Sequence, residues 1–319
     1  SEFQRIKHRL LSSIKGITDN PSALSTIFYH KIFFNEKHPY GSPVHGKINT
    51  VNNITIEDIK KYYTRNYKPD NAILTVVGDF NINMMVKTIE SHLLKWTSPY
   101  NESIIKPKLK VKKGVNFYII NKPESIQTQI KMGSSGIKSG DKSYFPLMVA
   151  NTIFGGSFTS RLVQSVRAKH GLTYSINSGF TTLKHQGPFT ISTFTKNETV
   201  GKTIKIIFQQ IHKIQEKGVN SDEINKAKKY LTGTYPLSIE TNDSLSAQLT
   251  NIAFYELSRS WVSDYIPNIL DLNEEIINTS ISNHFPDNDI VIVLLTNAKK
   301  VISQLDKLGS VQIIEQDTF

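Results

Sequence analysis

Cysteine is absent from all 319 residues. That absence excludes disulfides, cysteine nucleophiles and thiolate metal sites together, and it leaves the redox compartment undecided. Long apolar runs are missing as well: nowhere do about 18 apolar residues follow one another, so the sequence offers no transmembrane segment. Acidic residues are in deficit, 27 against 38 basic ones, for a net charge of +11. Such a balance suits an anionic partner such as nucleic acid. The lysines, however, are spread over helical faces (Lys60, Lys61, Lys226, Lys228, Lys229), and no nucleic-acid-binding signature accompanies them. The excess therefore reads as solvated surface, and no nucleic acid is expected as a partner. An apolar content of 38% with 10% aromatics is ordinary for globular protein, in a chain long enough for two domains.

What the sequence does hold is a duplication. Residues 54–79, ITIEDIKKYYTRNYKPDNAILTVVGD, and residues 271–296, DLNEEIINTSISNHFPDNDIVIVLLT, read as one unit written twice, about 217 residues apart. In each, a helical stretch enters a Pro-Asp-Asn turn (Pro69 to Asn71, Pro286 to Asn288) and an apolar run of strand length leaves it. Upstream, Glu2, Lys7 and Leu10 align with Glu223, Lys228 and Leu231, and Asn20 and Ser22 with Asn242 and Ser244. A second copy ending near Phe319 sets the end of the first near Asn101, where a polar, Pro-containing stretch is followed by the basic segment 106–113. Residues 1–101 are thus expected to be the C-terminal half of a first domain and 102–319 a complete second one. By the same ruler, about 115 residues of the first domain would precede Ser1, so the chain is expected to open in mid-domain.

Apolar spacing predicts helices over 3–15 and 22–34, a loop over 38–43, a helix capped by Thr55, a buried strand over 72–77 and a closing helix over 84–96. The second unit is predicted to hold strands at 116–120, 127–133, 174–182 and 188–195, helices from 144, 160, 200, 221 and 244, and then the repeated helix, a strand and a final helix. Pro236 should end or kink its helix. The fold class expected is α+β: two homologous α/β domains, each a mixed, largely antiparallel sheet with helices mainly on one face.

At this point two stretches are familiar. HPYGSPVHG at 38–46, with the next helix and YKPDNAILTVVGDF after it, resembles the first domain of the pitrilysin/insulinase family of zinc peptidases; GGSFTSRLVQSVRAKHGLTYS at 155–175 resembles the matching region of its second domain. The resemblance, which covers nearly the whole chain, implies a processing-peptidase-like fold. It is to bacterial members of roughly two domains, often exported to the envelope, which pair into a clamshell around an unfolded peptide. Active members bind zinc through His-x-x-Glu-His on one helix and a Glu on a following helix. The chain has no His-x-x-Glu-His, which would fall upstream of Ser1. The helix from Phe3 should carry the third ligand as the second of two glutamates seven apart, yet those positions hold Ile6 and Ser13. Neither can replace a carboxylate on zinc.

The resemblance therefore implies a zinc-less subunit with no catalytic or metal residue of its own, and zinc in a homologous partner subunit or in a self-dimer. In this family an Arg and a Tyr seven apart face the zinc across the chamber, the Arg on a substrate carbonyl and the Tyr on the tetrahedral intermediate; Arg167 and Tyr174 match them. Gly155 and Gly156 are candidates for a loop touching peptide substrate, or for a helix C-cap and turn. His38 and its Pro-Tyr-Gly loop read as structural. Two other functions stay open: an active zinc metallopeptidase whose ligands lie upstream, and a non-enzymatic scaffold of the same fold.

Overall fold

Local signals start the helices. Asn20 accepts a hydrogen bond from the Ala23 amide and opens a helix with proline in its first turn; Thr55 and Asp58 form a reciprocal capping box on another. The protein's structure, a computed structural model, describes residues 2–97, 109, 112–306 and 308–315. The domain boundary expected at 101/102 lies outside the described residues.

The first unit contributes α1 (Glu2–Thr18), α2 (Pro21–Phe34), α3 (Ile48–Asn53), α4 (Ile56–Asn66) and α5 (Ile82–Leu93). The second begins with β1 (Val115–Asn121), β2 (Gln127–Ser135) and α6 (Tyr144–Asn151), which runs on into a π turn at Thr152–Gly156. A π-helix at Val163–Lys169 leads to β3 (Ile176–Phe180) and β4 (Pro188–Lys196). Then come α7 (Val200–Lys217), α8 (Ser221–Ser238), α9 (Asn242–Phe254), α10 (Trp261–Leu270), α11 (Glu274–His284), β5 (Ile290–Thr296), α12 (Ala298–Val301) and β6 (Ser310–Glu315). One sheet results, in the order β3-β4-β2-β5-β1-β6. It is mixed: β2 runs antiparallel to β4 and β5, and β3 to β4, whereas β1 is parallel to β5 and β6.

The sheet is the mixed, largely antiparallel one expected, with most helices on one face. Ile130, Met132, Phe189, Ile191, Ile292 and Leu294 point into the main core beneath α6, α7 and α11. The opposite face is covered by a helix of the other unit. Phe28, Tyr29, Ile32 and Phe33 of α2 pack on Val291, Val293 and Leu295 of β5. The Pro39–Gly41 turn secures the end of α2, as the structural reading of that loop requires: His38 is buried and stacked on Phe34, with ring centroids 4.9 Å apart, and its Nδ1 accepts from the Tyr40 amide.

The two units share contacts as well as sequence. Lys7 donates to the Ile54 carbonyl at 2.8 Å, and its aligned counterpart Lys228 donates to the Leu272 carbonyl at 2.6 Å, each bracing the entry to the repeated helix (α4 or α11). The exchange across the units is also two-way. While α2 lies on the second sheet, Thr250 of α9 donates to Thr75 of the first unit.

One expected element is corrected. Residues 72–77 form no strand, and Ile73, Leu74 and Val76 are exposed rather than buried. A strand exists by its ladder, and among the described residues none lies beside this one. Three elements went unforeseen: the short α3, α10, whose Pro267 argues against a helix, and the edge strand β6, whose side chains are mostly exposed.

Candidate functional site

The stretch from Gly155 to Ser175 forms one corner of the second unit. Its backbone is irregular at both helical pieces, since the turn at Thr152–Gly156 and the helix at Val163–Lys169 are both π-helical, a widened form often found at functional sites. Gly155 lies in the interior, where a Cβ would overlap Ser178 Oγ of β3 and come within 2.8 Å of Leu162 Cδ1. Its lack of a side chain lets the π turn press against the strand. Gly156 is exposed at the end of that turn. Of the two glycines, therefore, only Gly156 has surface to offer a ligand. Gly155→Ala is expected to destabilise the fold by about 1–3 kcal/mol through overpacking, read as a lower midpoint in thermal unfolding.

The second π-helix is anchored at its start and stopped sharply at its end. Arg161 makes a two-pronged pair with Glu223 at 2.8 and 2.7 Å and donates to the Gly218 carbonyl at 2.9 Å. Glu223 also caps α8 through the Asn220 amide. Burial pushes the Glu223 carboxyl up, but hydrogen bonds from Arg161 and Asn220 and the charge of Arg161 outweigh it, so its pKa lies below the ordinary value. A depressed folded pKa gives stability that is present above the unfolded value and lost as pH falls through the folded one. Glu223→Gln should thus cost about 2 kcal/mol at pH 7, and its deficit relative to wild type should shrink below about pH 4. Urea midpoints across that pH range check this.

At the other end Gly171, with φ +59°, takes the left-handed conformation that ends a helix; its amide donates to the Arg167 carbonyl and the Leu172 amide to the Val166 carbonyl. The chain then turns into β3 under three ties to β4. The Thr195 hydroxyl donates to the Leu172 carbonyl at 2.7 Å, and the Thr193 hydroxyl to Thr173 Oγ1 at 3.1 Å and to the Ser175 carbonyl at 2.8 Å. Tyr174 is held between these ties and is 75% exposed.

The structure brings Arg167 and Tyr174 together. The guanidinium carbon lies 4.9 Å from the Tyr174 ring centroid and 5.0 Å from that of Phe158, itself 73% exposed. Two aromatic faces held by rigid backbone thus orient the guanidinium by cation–π attraction. Among the described residues Arg167 makes no ion pair, so its planar fork of donors can meet a carbonyl or carboxylate from solvent. Chemically the corner offers two donors side by side, a guanidinium and a phenol, suited to a carbonyl oxygen and to the charge that develops on it. Phe158 is the partner that sequence reasoning passed over. Its signal was an apolar ring left in a polar turn directly after Gly155, Gly156 and Ser157.

Metal ligands are a different matter. Among the described residues no group of three or more His, Asp or Glu is placed to hold an ion. α1 carries Ile6 and Ser13 where the family resemblance expects glutamates, the second of them a zinc ligand. The residues present do not fit that metal, so no step of the chemistry is routed through it in this chain.

This sheet, its helical cover and the donor corner define a mixed α/β unit in which, among the described residues, no group of three or more metal-binding side chains is placed to hold an ion. The sequence profile of the family described as "Peptidase M16 inactive domain" matches residues 53–231, more than half of the chain, and the chain belongs to that family. Among similar proteins is an "uncharacterized zinc protease" of Bacillus subtilis, 25% identical over 249 residues, which are 76% of this chain and 58% of that protein. A "non-peptidase homolog" of Helicobacter pylori is 24% identical over 307 residues, 93% of this chain and 68% of the other. The crystal structure of a peptidase M16 inactive domain from Pseudomonas fluorescens superposes with a TM-score of 0.83 at 26% identity, over 92% of this chain and 69% of that one. The chain spans little more than half the length of the Bacillus relative.

Proposed function

We propose that this protein is the zinc-less half of a composite peptidase, which pairs with a zinc-bearing homologue and presents Arg167 and Tyr174 to an unfolded peptide held between the two. The observation that carries the reading is the guanidinium of Arg167 clamped between the exposed rings of Tyr174 and Phe158, with no ion pair among the described residues. A surface arginine with only a structural role would gain by pairing with a carboxylate. In the composite site Arg167 holds a substrate carbonyl, and Tyr174 donates to the oxygen that turns anionic as water adds to the scissile bond. Gly156 lies on the same corner and can border the peptide, whereas Gly155 serves by packing.

The same reading assigns residues 1–101 to the second half of a first domain and 102–319 to a second. In a complete first domain, residues 72–77 take the central place that β5 has in the observed sheet, and their exposed Ile73, Leu74 and Val76 become interior. Metal analysis of the purified full-length protein is the test. Little bound zinc and no hydrolysis of an unfolded peptide by the protein alone are expected. One tightly held zinc together with hydrolysis in the absence of a partner would overturn the reading in favour of a self-sufficient metallopeptidase.

A further inference from the structure

On the sheet face that α2 covers, near the β3 edge, a polar cavity of about 260 Å³ lies away from the Arg167 corner. Thr26, His30, Lys131, Asn177, Thr190 and Ser192 are among the residues that line it. Lys131 is unusual for its position. It stands mid-strand in β2 between Ile130 and Met132, which face the core on the other side. Its ammonium donates to Ser192 Oγ at 3.2 Å, and among the described residues no carboxylate pairs with it. His30 of α2 is the second basic group; behind it Tyr29 is fully buried, its hydroxyl accepting from Thr190.

Burial lowers the pKa of Lys131, and burial together with the Lys131 charge lowers that of His30. Two basic groups therefore share a half-enclosed space that, among the described residues, no carboxylate enters to pair with the lysine, an arrangement that lowers stability unless an anion completes it. The cavity is too polar to serve an apolar side chain and, near its lysine, lacks the acid that would make it a closed structural pair.

We propose that this cavity is a subsite for a carboxylate side chain of an extended peptide, with Lys131 as its charge partner and Ser192 and Asn177 as its polar neighbours. The proposal rests on the chain being a peptide-binding half. Asn177 follows Tyr174 by three residues, so their backbones lie at most about 11 Å apart. An acidic residue about three positions from the carbonyl held by Arg167 would reach Lys131, and the net charge of +11 favours the approach of such a peptide.

Fluorescence anisotropy on the full chain tests it, with two labelled, unstructured peptides of equal length, one carrying glutamates and the other glutamines at the same positions. Wild type should bind the glutamate peptide about tenfold more tightly. Lys131→Met, which keeps the apolar stem, should bind both peptides alike and should unfold at a higher temperature than wild type. A Lys131→Met protein that retains the glutamate preference overturns the subsite. Arg167→Ala separates the two ideas. If it weakens both peptides while preserving their ratio, both stand; if it changes neither while Lys131→Met abolishes the ratio, the Arg167 reading falls and the subsite survives. Free glutamate that binds at Lys131 more tightly than the glutamate peptide does would overturn the peptide as ligand in favour of a small acid.

Discussion

Arg167→Ala lowers turnover by the reconstituted pair about a hundredfold and leaves the fold intact. The size reflects the loss of a charged, two-point hold on the substrate carbonyl: hydrogen bonds from a charged donor are worth about 1.5–3 kcal/mol, up to a factor of roughly 10² in rate. The intact fold reflects exposure. The guanidinium touches Phe158 and Tyr174, both largely exposed, and such cation–π contacts contribute only about 0.5–1 kcal/mol. Lysine is a poor substitute, because it lacks the planar fork and would hold a carbonyl from one point only. Tyr174→Phe keeps the ring under Arg167 and removes only the hydroxyl, so its loss, about tenfold, should fall on kcat more than on KM. Steady-state kinetics with thermal unfolding of the same variants decide the matter. Unchanged turnover in Arg167→Ala contradicts the role, and so does a loss that simply tracks unfolding.

Phe28→Ala is expected to destabilise the protein by about 3–5 kcal/mol, the largest effect of any single substitution considered. Phe28 is 1% exposed and sits with Tyr29, Ile32 and Phe33 against Val291, Val293 and Leu295. Removing the ring leaves a cavity at the contact where the first unit is held on the second, and β5, buried along its whole length, cannot shift to fill it. Urea unfolding should show a lower midpoint. Tyr62→Ala, at an exposed position of α4, should move it by less than about 0.5 kcal/mol. A change under about 1 kcal/mol in Phe28→Ala would mean that α2 does not carry the joint between the units.

These two expectations differ in how far the sequence alone leads to them. Arg167 and Tyr174 are legible only through the family resemblance, since an Arg and a Tyr seven apart carry no signal of their own; what brings them together is the stop at Gly171 and the ties from β4 on either side of Tyr174. Phe158 is not legible in the same way, since its role depends on a π turn that redirects the chain by one residue, and no apolar spacing records such a widening. The caps at Asn20 and Thr55 are local and can be read directly. Docking of α2 on the second sheet is non-local, and its apolar residues look the same whichever unit they cover.

Strand formation at 72–77 failed as an expectation for a related reason. Its apolar run and its likeness to β5 are local information, but pairing belongs to the neighbours, and among the described residues none is there. Lys131 shows the opposite limit. A lysine at an outward strand position reads as solvated, and only the arrival of α2 turns that position into a half-enclosed cavity.

Cleavage of one unfolded reporter peptide by this protein alone, by a zinc-bearing homologue alone and by an equimolar mixture of the two bears most directly on the assignment of a zinc-less half. The expected result is turnover in the mixture only, lost again when Arg167→Ala replaces wild type. Turnover by this protein without the homologue, or a mixture no faster than the homologue by itself, would contradict it.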